Sequence, residues 1–133
     1  MTGPAPVARA LVRQASGRRA HAGGLAAEAA ACDALAREGW TVLARRARTP
    51  AGEVDAVAER DGLVAFIEVK RRATLAGAAQ ALAPRQRARL LAAAEILLAA
   101  NPGWGQAGVR FDLLLVDAAG AVRRIADAFR DEG

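Results

Sequence analysis

Residues 52–72 read GEVDAVAERDGLVAFIEVKRR. Two apolar-rich runs, Val54 to Ala58 and Leu63 to Val69, flank the dipeptide Asp61-Gly62. Asp-Gly is a strong signal for a two-residue hairpin, because both residues of that turn need φ > 0. Counting back from the turn, Arg60 faces Leu63, Val57 faces Phe66, Asp55 faces Glu68 and Glu53 faces Lys70. Strand alternation then gathers Glu53, Asp55, Glu68 and Lys70 on one face. The other face carries Val54, Ala56, Ala58, Ala65, Ile67 and Val69, all apolar. A one-residue slip would move the whole set to the opposite face.

Directly opposed side chains have Cβ atoms ~4.5–5.5 Å apart. Two carboxylates at ~5 Å repel by ~3 kcal/mol at an effective dielectric of ~20. On a wet edge that is tolerable decoration, but in a half-buried cleft it requires a cation. Lys70 supplies part of the charge, and a divalent metal suits the rest. Mg²⁺ takes one or two carboxylates together with water and phosphate oxygens. Soft ligands are missing from this stretch, which argues against a dedicated zinc site.

Lys70 stands out for a second reason. The chain holds 19 Lys and Arg residues, and Lys70 is the sole lysine among them. Arginine is a permanently charged planar fork; lysine is a compact point charge whose pKa moves on burial. A lysine kept beside two carboxylates suggests metal-dependent phosphodiester chemistry. The competing reading is a solvated surface lysine in a strand.

Outward from the hairpin, the pattern predicts a helix from Ala22 to Glu38, stopped by Gly39. Its apolar stripe reads Leu25, Ala29, Cys32, Leu35 and Ala36 at helical spacing, and Glu28 falls on it. Glu28 either has a partner on the core side or sits at the rim of a slightly rotated helix. A strand follows from Trp40 to Ala44, ending in the cluster Arg45, Arg46, Arg48. After an irregular stretch beyond Arg71-Arg72, Pro84 opens a helix to Ala100. Val109 to Val116 and Val122 to Ala126 read as the last strands. Helix, three strands, helix, two strands predicts an α/β fold with a mixed central β-sheet of about five strands.

A chain of 133 residues is long enough for one domain with its own core. Residues 1–21, with arginines and no acid, read as a flexible basic tail, leaving 22–133 as a single domain. One cysteine, Cys32, excludes an internal disulfide framework, and it reads as a buried inert thiol. The single histidine, His21, has no evident catalytic partner. The longest apolar run, Leu90 to Ala100, is broken by Glu95 and is too short to span a bilayer. A cytoplasmic protein with no membrane partner is the expectation. The net charge of +5 favours an anionic partner.

Four blocks carry a family resemblance. They are Gly24-Leu25-Ala26-Ala27-Glu28, Gly52-Glu53-Val54-Asp55, Phe66-Ile67-Glu68-Val69-Lys70-Arg71-Arg72 and Arg110-Phe111-Asp112. In that order and spacing the chain, from about Gly23 to Phe129, resembles the YraN family of the PD-(D/E)XK nuclease superfamily. The resemblance implies a restriction-endonuclease-like core, related to Holliday-junction resolvases. It implies Asp55 and Glu68 as Mg²⁺ ligands, with Mn²⁺ as substitute and the Val69 carbonyl as a further ligand. Lys70 then orients or helps deprotonate the attacking water, or stabilises charge on the phosphorane. Glu28 completes the acidic site by touching the metal or holding Lys70, and Glu53 partners Lys70 or an arginine. The family pattern places a lysine early in the second long helix, where this chain has Gln86; Arg85 or Arg87 would supply the missing charge.

The expected function is a metal-dependent endonuclease cutting phosphodiester bonds, with DNA preferred to RNA and branched DNA preferred to a defined sequence. Arg45, Arg46, Arg48, Arg71, Arg72, Arg85, Gln86, Arg87 and Arg89 are the candidate nucleic-acid contacts, because phosphate contacts give affinity without sequence reading. The competing reading of these clusters is a solvated surface in an arginine-biased chain. Two other functions compete: a non-catalytic nucleic-acid-binding module on the same scaffold, and an interaction domain without nucleic acid. A homodimer would suit the cutting of two strands.

Overall fold

The hairpin forms the middle of a five-stranded sheet. The computed structural model describes residues 22–71 and 84–126. The basic stretch 1–21 with His21, the segment after Arg71 with Arg72, and the end of the chain with Phe129 lie outside these residues. The elements are α1 (Ala22–Arg37), β1 (Thr41–Thr49), β2 (Gly52–Arg60), β3 (Leu63–Arg71), α2 (Pro84–Ala100), β4 (Gly108–Val116) and β5 (Val122–Ile125). The strands lie side by side in sequence order. Only β3 and β4 are parallel, so the sheet is mixed and α2 falls within the crossover. This is the expected α/β fold with the layout of a restriction-endonuclease-like core.

The turn behaves as its residues dictate. Asp61 at φ 53° and Gly62 at φ 84° are both left-handed. Arg60 pairs with Leu63, Val57 with Phe66 and Ala56 with Ile67, the register read from the sequence. The tip is docked as well: Ala107 N–H donates to the Gly62 carbonyl at 2.9 Å. A Cβ on Gly62 would stand 3.1 Å from the Ala107 Cβ.

Successive residues of β3 face opposite layers. Val64 and Phe66 join Leu90, Ala93, Ala94 and Leu97 of α2, and Phe66 stacks on Phe111 at 5.6 Å. Ala65 and Ile67 join Ala27, Ala31, Cys32 and Leu35 of α1, with Trp40 below them. The α1 layer is lined by alanines on both sides, so the helix approaches the sheet closely. Its buried stripe is rotated from the expected one: Leu25 is 42% exposed, and Ala29 and Ala36 are also exposed. An alanine-rich helix offers little contrast between faces, so the large Leu25 misdirects the pattern. Among the described residues no helix is long and apolar enough to cross a membrane.

Two expectations about β1 and β2 are corrected. β1 continues through Arg45, Arg46 and Arg48 to Thr49, because Ala44 and Ala47 bury between the arginines. The alternation of β2 also breaks once. Val54 joins Val57 in the core under α2, whereas Ala56 and Ala58 face α1. The expected grouping of Val54 with Ala56 fails at Asp55, where the β1–β2 pairing is interrupted; the register shift of β1 itself lies between Val42 and Ala44. Arg45 pairs with Ala56 and Ala47 with Val54, but no pair forms between them. Arg46, in that gap, has φ 52°, a conformation that non-glycine residues rarely adopt.

Candidate metal centre

The acidic site forms where the central hairpin opens. The β2–β3 ladder ends at Ala56–Ile67, and Asp55 and Glu68 come one step later. The Val69 N–H donates to Asp55 Oδ2 at 2.8 Å. An extended residue presents its N–H and C=O to the same edge, so the Val69 carbonyl faces the same opening. Lys70 Nζ lies 3.2 Å from Glu68 Oε2, with both side chains about four-fifths buried at 21% and 17% exposure.

A cavity of about 230 Å³ adjoins the pair, lined by Glu53, Asp55, Glu68, Gln86, Arg89 and Leu90. Gln86 therefore reaches the site from the first turn of α2, on the same helix face as Leu90, Ala94 and Leu97. The guanidinium that accompanies it comes from Arg89; Arg85 and Arg87 are exposed and do not line the cavity. Helical spacing could have given this answer, since Arg89 is three residues after Gln86 and adjacent to Leu90. Arg89 lies across Gly52, where a Cβ would stand 3.0 Å from the Arg89 Cγ. Glu53 stands opposite Arg48 in the β1–β2 register, and the β2–β3 ladder ends before it can meet Lys70.

Glu28 is held by Arg46. Arg46 Nε donates to Glu28 Oε1 at 2.8 Å, and the side chains are 18% and 20% exposed. Glu28 thus combines both alternatives: it sits half-buried on a helix rotated from the expected stripe, and it has a partner on β1 that the pattern did not identify. Arg45, Arg48, Arg71, Arg85, Arg87 and Arg89 are exposed, while Arg46 and Gln86 are half-buried.

Burial, and next the Glu68 charge, push the Asp55 carboxyl well above its ordinary range; the Val69 N–H opposes this, and Glu28 and Glu53 add to it. Burial also raises Glu68, opposed by Lys70 and then Arg89, with Glu28 adding to the rise. Burial raises the Cys32 thiol, which suits an inert core residue. Two desolvated, mutually repelling oxygen donors fit a hard divalent cation. Among the described residues no three His, Cys, Asp or Glu side chains group closely enough to hold a metal ion. A cation here would take two carboxylates and complete its shell from backbone, water or phosphate oxygens, a pattern that suits Mg²⁺.

The Arg110-Phe111-Asp112 block lies elsewhere. Asp112, fully buried, accepts from Arg110 Nε and Nη2 at 3.0 and 2.9 Å. Arg60, Arg110 and Arg124 surround the Trp40 ring at 4.9, 5.4 and 5.8 Å. This cluster ties the end of α1 to β4 and β5.

Residues 27–116 match the model of a family described as uncharacterised protein family UPF0102. The chain is 58% identical over 114 residues to a UPF0102 protein of Granulibacter bethesdensis, covering 86% of this chain and 72% of that protein. It is 48% identical over 106 residues to one of Rhodopseudomonas palustris, covering 80% and 82%. It is 50% identical over 119 residues to one of Acidiphilium cryptum, covering 89% and 91%.

Proposed function

The chain belongs to the UPF0102 family, which is the YraN family, and from that premise and the opened hairpin we propose that it is a divalent-metal-dependent endonuclease acting on nucleic acid. One observation carries the reading. Asp55 and Glu68 are desolvated side by side at the end of a ladder, one carboxylate held by a backbone amide and the other by the chain's sole lysine. A fold does not by itself invest in such repulsion, since burying unpaired like charges is costly.

Asp55, Glu68 and the Val69 carbonyl would hold the cation. When bound, a divalent ion lowers the pKa of a coordinated water and polarises a phosphate oxygen. The chain's own residues do the rest. Lys70 favours the ionised form of Glu68 against burial and would present N–H donors that orient a water molecule beside it. Arg89 and Gln86 face the same cavity from α2 and suit the non-bridging oxygens of a backbone phosphate. Aromatic stacking is not on offer among the described residues: Trp40, Trp104 and Phe66 are buried, and Phe111 packs on Phe66. The substrate is therefore read through its backbone and shape, with branched or otherwise structured DNA the leading class.

The small ligand set supports a second reading, a module that binds nucleic acid without cutting it. No third acidic group joins Asp55 and Glu68 among the described residues. The two separate in one experiment. Duplex, single-stranded, flap and four-way DNA and structured RNA are incubated with Mg²⁺ or Mn²⁺, with Asp55→Asn as control. A nuclease cuts at least one substrate and the variant cuts none. A binding module retains every substrate at low salt, cuts none, and is indifferent to the substitution.

A further inference from the structure

Arg46 was expected among the phosphate contacts, but its guanidinium is committed to Glu28. Three features coincide at this residue. Its backbone has φ 52°, a strained conformation that persists only where the surroundings enforce it. It occupies the unpaired position between Arg45–Ala56 and Ala47–Val54, directly across from Asp55. Its side chain is about four-fifths buried and donates through Nε to Glu28 Oε1 at 2.8 Å. A surface arginine reaching for phosphate needs none of these.

Charge gives the arrangement a purpose. Glu28, Asp55 and Glu68 carry three negative charges around the opening, against two positive charges on Arg46 and Lys70, while Glu53 and Arg89 add one charge of each sign from the cavity wall. Glu28 is close enough for its charge to act on both other carboxylates, yet the three do not group as a ligand set. A third free carboxylate would bind a cation more tightly and repel a phosphodiester. We propose that Arg46 is a positioning residue that holds Glu28 off the cation-binding pair Asp55 and Glu68, leaving the site only weakly negative so that metal and backbone phosphate can share it. The proposal rests on the nuclease reading and deepens it. It also makes Glu28 a regulator of site charge instead of a ligand.

The test is calorimetric titration of the purified full-length protein with Mn²⁺, without nucleic acid, together with cleavage assays. Arg46→Gln frees Glu28, so Mn²⁺ should bind about three- to tenfold more tightly, a Coulomb effect of ordinary size, while cleavage falls. A merely structural arginine would weaken both. The double variant Arg46→Gln/Glu28→Gln removes both charges and should return Mn²⁺ affinity to within about twofold of wild type. Weaker Mn²⁺ binding by folded Arg46→Gln, or a loss of tenfold or more in the double variant, overturns the proposal. Glu28→Gln alone keeps the test decisive if Arg46 variants do not fold: a loss below about threefold supports a held-off carboxylate, and a loss of tenfold or more makes Glu28 a ligand and overturns it. Wild-type protein that binds no Mn²⁺ and cuts nothing overturns the nuclease reading itself. Wild-type binding and cleavage with the wrong variant response overturns only the role of Arg46.

Discussion

The Val69 amide reaches across the opened hairpin to Asp55 Oδ2 at 2.8 Å, one step beyond the last β2–β3 pair. A strand amide that would otherwise seek a backbone carbonyl has a carboxylate for its partner. The bond orients Asp55 while burial and Glu68 work against its charge. Stability is thereby exchanged for a charged group aimed at a cavity.

The sign of that exchange is measurable. Asp55 and Glu68 both have folded-state pKa values raised above their ordinary 3.8 and 4.5. Between the ordinary and the raised values the folded chain holds more protons than the unfolded chain, so stability falls as pH rises through that window and the penalty remains in full above it. Asp55→Asn keeps an acceptor for the Val69 N–H and removes the charge. In metal-free buffer the variant should match wild type at the acid end of the window and melt about 2–6 °C higher at pH 8, roughly 1 kcal/mol. Thermal melts across that range check it; a variant less stable than wild type at pH 8 contradicts it.

Metal should reverse this order. Mg²⁺ or Mn²⁺ that binds only the folded chain adds about 2.7 kcal/mol at a concentration of 100 Kd. Wild-type protein should show a rise in Tm with either ion, and Asp55→Asn should show none. Scanning calorimetry in EDTA and in excess Mn²⁺ gives both values, and equal rises in the two proteins would remove Asp55 from the metal site.

In the proposed nuclease, Lys70 has a role that arginine would not fill. Its Nζ is 3.2 Å from Glu68 Oε2 in a confined setting, and a planar guanidinium is both larger and a different donor geometry. Lys70→Met should lower cleavage by about 10²–10⁴-fold, the scale of a lost proton-handling group. Lys70→Arg should not recover more than a small part of it. Single-turnover rates with saturating substrate check this, with circular dichroism to show that both variants fold.

Much of this was legible in the sequence, for identifiable reasons. Asp61-Gly62 determines the hairpin register because few other dipeptides tolerate two left-handed residues, and the register brings Asp55 to Glu68. Pro84 and Gly39 mark helix ends through their own backbone limits. The hidden parts depend on contacts far apart in sequence. Nothing near Arg46 announces a positive φ, and nothing near Asp55 announces the break in alternation that puts Val54 in the α2 layer. Glu28 and Arg46 are 18 residues apart and meet only once α1 docks on β1. Glu53 would meet Lys70 only if the ladder continued, and the carboxylate–amide bond at Asp55 lies where it ends.

Gly52 is a test of how α2 delivers its arginine. Its φ of 142° suits glycine, and an added Cβ would press on Arg89 at 3.0 Å from Cγ and 3.2 Å from Cδ. Gly52→Ala should cost about 1–3 kcal/mol, partly from backbone strain and partly from displacing Arg89. Arg89→Ala in the same chain should recover the steric part and leave the backbone part. The double-mutant cycle should therefore give a coupling of at least about 0.5 kcal/mol. Urea unfolding of the four proteins measures it, and strict additivity would mean that Arg89 does not rest on Gly52.

Asp112 provides the complementary case, a buried charge whose work is structural. It has no exposed surface, receives two bonds from Arg110, and has Arg124 Nη1 at 3.7 Å. Arg124 also reaches Glu38 at 3.3 Å, so the cluster links the end of α1 to β4 and β5. Asp112→Ala would leave Arg110 and Arg124 crowded against Trp40 without the carboxylate that offsets them. Removing one partner of a buried ion pair costs about 3–5 kcal/mol, a large share of the stability of a small domain. The folded fraction of the variant should nevertheless bind Mn²⁺ as wild type does, because Asp112 is neutralised within the Arg110–Arg124 cluster beside Trp40 and does not line the acidic cavity. Urea unfolding together with Mn²⁺ titration at low temperature separates the two effects; a metal affinity that falls with stability would tie this cluster to the acidic opening.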